Sequence, residues 1–275
     1  TLRALALGGM RDHLGGGFHR YTVDGNWRVP HFEKMLYDQA QLTLAYLEAT
    51  QLTGDSFYAE VAIETLDYVK HDLADTSGGF YSAEDADSVP LGSNDVKGGV
   101  KKEGAFYTWN SKEIDAVLGD DAEIFKLHYG ILAEGNVPSD PQGEFKGENI
   151  LHVSRSITEI SSITNRPMTQ VERSLENSRA ALLVARSSRP RPYLDNKVLT
   201  AWNGLMMAAY ARASRILKDS TNGYLEVATG LAEFIRDQCW DFESGVLLRR
   251  YRENNVGIEG YAEDYAYLIF GLLEP

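Results

Sequence analysis

Hydrophobic positions recur with helical spacing along nearly the whole chain. Between 33 and 52, Met35, Leu36, Ala40, Leu42, Leu44, Ala45, Leu47 and Leu52 occupy most of the helical circumference, which predicts a helix buried on all sides. From 55 to 74, Phe57, Ala62, Leu66, Val69 and Leu73 fall on one face and leave Glu60, Glu64, Asp67 and Lys70 for solvent, so this helix packs outside the first. Thr53-Gly54 supplies the stop between them and Asp55 the N-cap. The alternation returns further on. Residues 199–217 are apolar nearly all round, through Ala201, Trp202, Leu205, Met206, Met207, Tyr210 and Ala213, whereas Tyr224, Ala228, Leu231 and Ile235 mark one face of the next helix; 261–273 is again mostly apolar. A short helix starts at Asn110, with Glu113 three residues on, and stops at Gly119; a weaker one spans 170–186. Strong strand signals are absent.

Glycines punctuate this pattern in a repeated way. Gly16-Gly17-Phe18, Gly78-Gly79-Phe80-Tyr81, Gly104-Ala105-Phe106-Tyr107 and Gly245-Val246-Leu247-Leu248 each place aromatic or apolar residues after a glycine, as a turn leading into a short ribbon would. Buried helix, surface helix and glycine ribbon in repetition predict an all-α toroid of helical hairpins with short β-ribbons at its rim. About eight or nine helices are countable, too few for a closed ring of six hairpins, so residues 1–275 read as a single, incomplete toroid domain. The longest loops are expected at 139–149 and 187–192.

Composition narrows the partners. The 275 residues are 43% hydrophobic and 24% charged, within the globular range, and 40 acidic against 27 basic residues leave a net charge of −13. That field repels phosphate backbones and anionic lipid, so neither nucleic acid nor a membrane surface is an expected partner. The longest apolar stretch, 199–213, is interrupted by Asn203, Gly204 and Arg212 and falls short of the roughly 20 residues a membrane helix needs. Cys239 is the only cysteine, which rules out an internal disulfide, a redox pair and a cysteine-caged zinc; no cofactor and no metal are expected. The lack of an Asn-x-Ser/Thr acceptor, and of a signal peptide in residues 1–14, agrees with an intracellular setting, although the chain opens with Thr1 and reads as cut from something longer.

Phosphate-loop, dinucleotide, zincin and serine-hydrolase motifs are missing, and the triple glycine 15–17 reads as a turn. Four polar clusters remain. The segment 12–38 carries His13, His19, Arg20, Tyr21, Trp27, His31, Glu33 and Asp38, with Pro30 leading His31 to a helix N-terminus where an imidazole could act as a base. Glu84, Asp85 and Asp87 follow the ribbon at 78–81; carboxylates held this close raise one another's pKa, which separates an acid from a base, and Ser88-Val89-Pro90 does not complete a calcium loop. Asp195, Trp202 and Asn203 lead into the apolar helix at 199–217, where Asn203 needs either a polar cavity or a buried partner. Glu263 and Asp264 sit among Tyr261, Tyr265 and Tyr267. Aromatic faces with polar edges suit sugars, and opposed carboxylates suit glycosyl chemistry.

The strings GGGFHRYTVDGNWRVPHFEKMLYDQA at 15–40, GGFYSAEDADS at 78–88, EGAFYTWN at 103–110, KVLTAWNGLMMAAYARA at 197–213 and AEDYAYLIFGLLE at 262–274 resemble the spermatogenesis-associated, thioredoxin-domain-containing protein family. The resemblance runs in collinear order over nearly the whole chain. It implies an (α/α)6 toroid of the six-hairpin glycosidase class, related to N-acylglucosamine epimerases, behind a thioredoxin-like domain that is absent here and would be the partner in the longer protein. Asp195-Asn196-Lys197 stands where the family pattern has Asp-Asp-Lys, which changes one carboxylate, and the family continues with further hairpins past Pro275.

These readings combine into a carbohydrate-active or carbohydrate-binding toroid, glycosidase-like through paired carboxylates. Catalytic candidates are His31, Glu84, Asp85, Asp87, Glu263 and Asp264, with Asp85 or Asp87 facing Glu263 or Asp264. Substrate-binding candidates are His19, Arg20, Tyr21, Trp27, Asp38, Trp109, Asp195, Trp202 and Asn203. Two alternatives stay open: a non-catalytic module that positions the thioredoxin-like domain on a client protein, and a sugar epimerase or isomerase working through histidine, although no histidine follows His152.

Overall fold

The computed structural model describes residues 1–92, 100–137, 143–217 and 223–274. In chain order the elements are α1 (Leu2–Leu7), β1 (Tyr21–Thr22), β2 (Pro30–His31), β3 (Lys34–Met35), α2 (Leu36–Thr53), α3 (Ser56–Asp72), β4 (Ala83–Glu84), β5 (Asp87–Ser88), β6 (Lys102–Glu103), α4 (Ser111–Leu118), α5 (Ala122–Tyr129), α6 (Ile157–Thr164), α7 (Met168–Arg186), β7 (Leu194–Asp195), β8 (Val198–Leu199), α8 (Thr200–Ile216), α9 (Tyr224–Phe234), β9 (Trp240–Asp241), β10 (Val246–Arg252), β11 (Asn255–Glu259) and α10 (Ala262–Leu272). The class is the one the periodicity predicts, all-α, built from helical hairpins with short antiparallel ribbons between them. The residues gather into two compact units, 1–33 with 85–193 and 34–84 with 194–275.

The second unit holds the long hairpins. Caps act where the sequence puts them: Gly54 turns left-handed at φ 68° and donates to Thr50 O, and the Asp55 carboxylate accepts from Phe57 N to open α3. α2 starts three residues later than hydrophobicity implies, and α8 one residue later. Their leading residues are instead spent on extended pairing, Lys34 and Met35 with β4, and Val198 and Leu199 with β10. Twelve residues of α8 are buried, as an inner helix requires, while α2 loses cover in its last turn, where Leu52 is 86% exposed. α9 buries Tyr224, Ala228 and Leu231, and its end widens into a π turn at Ile235–Cys239. α10 meets α8 backbone to backbone: a Cβ on Gly271 would lie 2.4 Å from Gly204 O. Its Ile269, Leu272 and Leu273 stay exposed, so the burial expected along 261–273 holds only on the face towards α8.

The ribbon expected after Gly245 becomes the longest strand described, β10, which reverses at Glu253 and Asn254, both at positive φ, to pair with β11. In the first unit Asn110 caps α4 by accepting from Glu113 N at 2.9 Å, as read from the sequence. α5 and α6 were not anticipated, although Ser156 and Glu159 form a capping box that announces α6. Trp109, Ile114, Ile124, Phe125, Ile160 and Leu182 form the core beneath these helices. A fully buried ion pair ties Asp12 to the last turn of α7, with Arg186 donating to both carboxylate oxygens at 2.8 and 2.9 Å. The loop at 187–192 is irregular as expected; of the loop at 139–149, residues 139–142 lie outside the described residues and 143–149 turns back to pair Asn149 with Trp109.

Candidate active site

In the first unit two small ribbons assemble one cluster. β1 and β2 pair Tyr21 with His31, and β5 and β6 pair Asp87 with Glu103, so chain segments about 70 residues apart present polar side chains side by side. His31 Nδ1 lies 2.7 Å from Glu103 Oε1, and the same oxygen accepts Phe32 N at 3.1 Å. A carboxylate only accepts, so Nδ1 carries the proton and Nε2 is left as the basic nitrogen. Nε2 sits 3.8 Å from Glu33 Oε2, which is held at 2.9 Å by Arg20 Nη1. The half-exposed ring of Tyr21 stacks on the imidazole at 5.0 Å and 26°. Asp85 pairs with Lys101 at 3.5 Å, and its backbone N–H donates to Tyr193 O at 2.8 Å.

Asp87 is the carboxylate set apart. Desolvation, reinforced by the neighbouring charges of Asp85 and Glu103, pushes its pKa above the ordinary 3.8, with Lys101 and His31 opposing. Glu103 itself takes two donors. Directly opposed residues of an antiparallel pair thus sit in different environments, Asp87 desolvated among like charges and Glu103 held by two N–H donors. Glu103 was not singled out from the sequence. Its only signal is its position at the start of EGAFYTWN, and the register that sets it opposite Asp87 is a tertiary fact.

The remaining candidates of this unit support rather than face the cluster. His19 is buried and its Nδ1 lies 3.0 Å from Phe32 O, with Phe32 and Tyr107 edge-on to it. Trp27 holds a left-handed φ of 60° and its carbonyl accepts Gly9 N. Trp109 is a core residue at 0% exposure, covered by the Arg189 guanidinium 3.9 Å above its ring. Gly104, at φ 71°, lies under Phe32; a Cβ there would come within 2.6 Å of the ring, so only glycine lets β6 approach the strand carrying His31.

In the second unit Glu84 is buried and accepts the Tyr68 hydroxyl at 2.7 Å, with the Lys34 ammonium 4.1 Å from the Tyr68 ring centre. Asn203 meets the buried-partner alternative: its Oδ1 accepts Phe80 N at 2.8 Å and its Nδ2 donates to Phe80 O and Leu199 O. Asp264, wholly buried, accepts Ala201 N, Tyr261 N and Arg249, and Glu263 pairs with the same arginine. Asp195 pairs with Lys197 at 3.1 Å, Trp202 meets the Tyr37 ring edge at 4.8 Å, and Asp38 lies in the first turn of α2. A groove of about 570 Å³, lined by apolar side chains such as Trp240, Phe242, Leu247 and Leu268, contains none of the sequence-derived candidates. Among the described residues no group of three or more His, Cys, Asp or Glu is disposed to hold a metal ion, and no helix is long and apolar enough to cross a membrane.

The chain is similar over its full length to spermatogenesis-associated protein 20 of Homo sapiens, at 42% identity, and of Mus musculus, at 40%. The family resemblance read from the sequence is thereby borne out. The chain spans 36% of the length of these relatives. No family model matches it. Among solved structures, a D-mannose isomerase aligns with 92% of this chain and 53% of its own at 15% identity and a TM-score of 0.29. A family 76 glycoside hydrolase from a bovine Bacteroides thetaiotaomicron strain aligns with 99% of this chain and 49% of its own at 14% identity and a TM-score of 0.32.

Proposed function

We propose that the His31, Asp87 and Glu103 cluster is the acid–base centre of a carbohydrate-active protein, in which Asp87 acts as the acid and Glu103 as the base. The observation that carries this reading is the pairing of Asp87 against Glu103 across β5 and β6, with the two carboxyl groups in unequal surroundings. In hydrolysis of a glycoside, Asp87 gives its proton to the leaving oxygen as the bond to the anomeric carbon breaks. Glu103 takes a proton from the water whose oxygen bonds to that carbon. His31 orients Glu103 through Nδ1, Arg20 orients Glu33, and Tyr21 offers an aromatic face to the sugar ring. The sugar assignment draws on the class that the family resemblance implies, an (α/α)6 toroid of the glycosidase and epimerase kind.

This reading keeps His31, Asp85 and Asp87 from the sequence-derived set and adds Glu103. Glu84, Glu263 and Asp264 take framework roles in it, because Tyr68 and Arg249 already hold them. A second reading is favoured by one distance: His31 Nδ1 at 2.7 Å from Glu103 leaves Nε2 as a base suited to lifting a proton beside a carbonyl, as a sugar epimerase needs.

The test uses the full-length protein with a panel of mono- and disaccharides, following thermal stabilisation and product formation by NMR. A stabilising sugar whose effect disappears in Glu103→Gln and in His31→Ala supports the site. Release of a free anomeric hydroxyl selects hydrolysis, and solvent deuterium entering the C2 position selects epimerisation. No stabilisation by any sugar overturns the carbohydrate reading in favour of a protein-recognition module attached to a thioredoxin-like domain.

A further inference from the structure

Within the second unit α2, α8 and α10 run side by side in one direction. Arg212, in the last turns of α8, donates to Glu48 of α2 at 2.6 Å and to Glu274, just past α10, at 2.7 and 2.9 Å, which sets the three C-terminal ends at one level. The first two of these helices each carry a surface helix, α3 on α2 and α9 on α8. α10 rests on α8 and touches β10, and among the described residues no surface helix covers it. Its sequence has the pattern of an inner helix, apolar round most of the circumference, yet only the side bearing Tyr267 and Gly271 is taken up by α8. Leu268 and Leu272 turn instead into the groove of about 570 Å³, which Ile235 at the end of α9, Trp240, Phe242 and Leu247 complete. Ile269 and Leu273 lie about 100° further round α10 and carry the apolar strip beyond the groove. Phe242 is 71% exposed and Leu273 74%.

We propose that this strip is the seat of an amphipathic surface helix of the same polypeptide, contributed by the longer protein outside residues 1–275. A helix fits because the groove runs between two helices, α9 and α10, whose side-chain rows offer ridges for a third to pack against. The strip also continues past the groove along α10, which suits an extended element better than a small molecule held in a cavity. Thr229, Glu233 and Arg236 line one wall and match the polar flank of such a helix. The relatives described above are longer, this chain spanning 36% of their length, so one molecule has polypeptide to supply it. The arrangement repeats what α3 does for α2 and α9 for α8, and it buries side chains that would otherwise form an exposed apolar patch.

The experiment places the photo-cross-linker benzoylphenylalanine at Leu272 of the full-length protein and maps the product by mass spectrometry. The expected result is a cross-link within one chain to a peptide outside residues 1–275 whose apolar residues recur at i, i+3 or i+4, and i+7. A cross-linked dimer, a partner peptide from within 1–275, or a peptide without that period overturns the proposal. Should the labelled protein fail to fold or to cross-link, hydroxyl-radical footprinting of the wild-type full-length protein decides, read together with its native mass. Phe242, Leu272 and Leu273 should then oxidise as slowly as the core residues Leu231 and Phe234, at every protein concentration and at the mass of a single chain. Oxidation at the rate of the unfolded chain shows an open surface, protection that fades on dilution shows a second copy, and an added small-molecule mass shows a bound ligand; each of these overturns the proposal.

Discussion

Asp87 stands in an environment that its place in an acidic run does not announce. Its pKa is raised, chiefly by desolvation, so the folded state holds the proton more tightly than the unfolded chain does. Stability contributed by that proton is present at low pH and lost as pH rises from the ordinary 3.8 through the raised value. Asp87→Asn should therefore be more stable than wild type at neutral pH, with the gap closing below the carboxylate range, as melting temperatures across pH will test. Asn203 makes the opposite point. Read as a polar interruption of an apolar helix, it pairs with both backbone groups of Phe80. Asn203→Ala should cost about 1–3 kcal/mol in urea denaturation, because it strands a buried N–H and carbonyl.

At the scale of elements, periodicity locates the hairpins and glycine decides how closely they approach. Gly204 and Gly271 let α8 and α10 touch through their backbones, so Gly271→Ala should destabilise by about 1–3 kcal/mol through overpacking. The same change at Gly230, where an added Cβ meets nothing within 4 Å, should be neutral or slightly stabilising, and the two compared by chemical denaturation isolate the contact from the propensity term. Helices α2, α3, α4, α8 and α9 were legible because burial and capping are local properties of the chain. The late starts of α2 and α8 were not, because an apolar residue suits a strand as well as a first turn, and only pairing with β4 and β10 selects the strand.

Across the molecule, two buried features of the first unit govern its stability. The Asp12–Arg186 pair joins residues 174 positions apart, and losing either partner leaves a buried charge, so Asp12→Ala or Arg186→Met should each cost about 3–5 kcal/mol while the double variant costs less than the sum. His13 is buried with its pKa lowered by desolvation, and further by Arg11, from 6.5 to about 3. The unfolded chain then binds the extra proton first, so stability is complete above about 6.5 and declines as pH falls towards about 3. His13→Phe should flatten that part of the pH–stability curve.

The chain by itself determined the helical class, the order of buried and surface helices, the caps at Asp55 and Asn110, and the family resemblance, because these follow from the spacing and identity of neighbours along the sequence. It also located His31 and Asp87 as chemistry worth testing. Only the tertiary structure brought Glu103 against both of them, and only it turned Asn203 and Asp264 into backbone anchors. Pairing register and desolvation depend on residues far away in sequence. Whether a carboxylate is a base, an acid or a brace is decided by what the fold sets 3 Å from it.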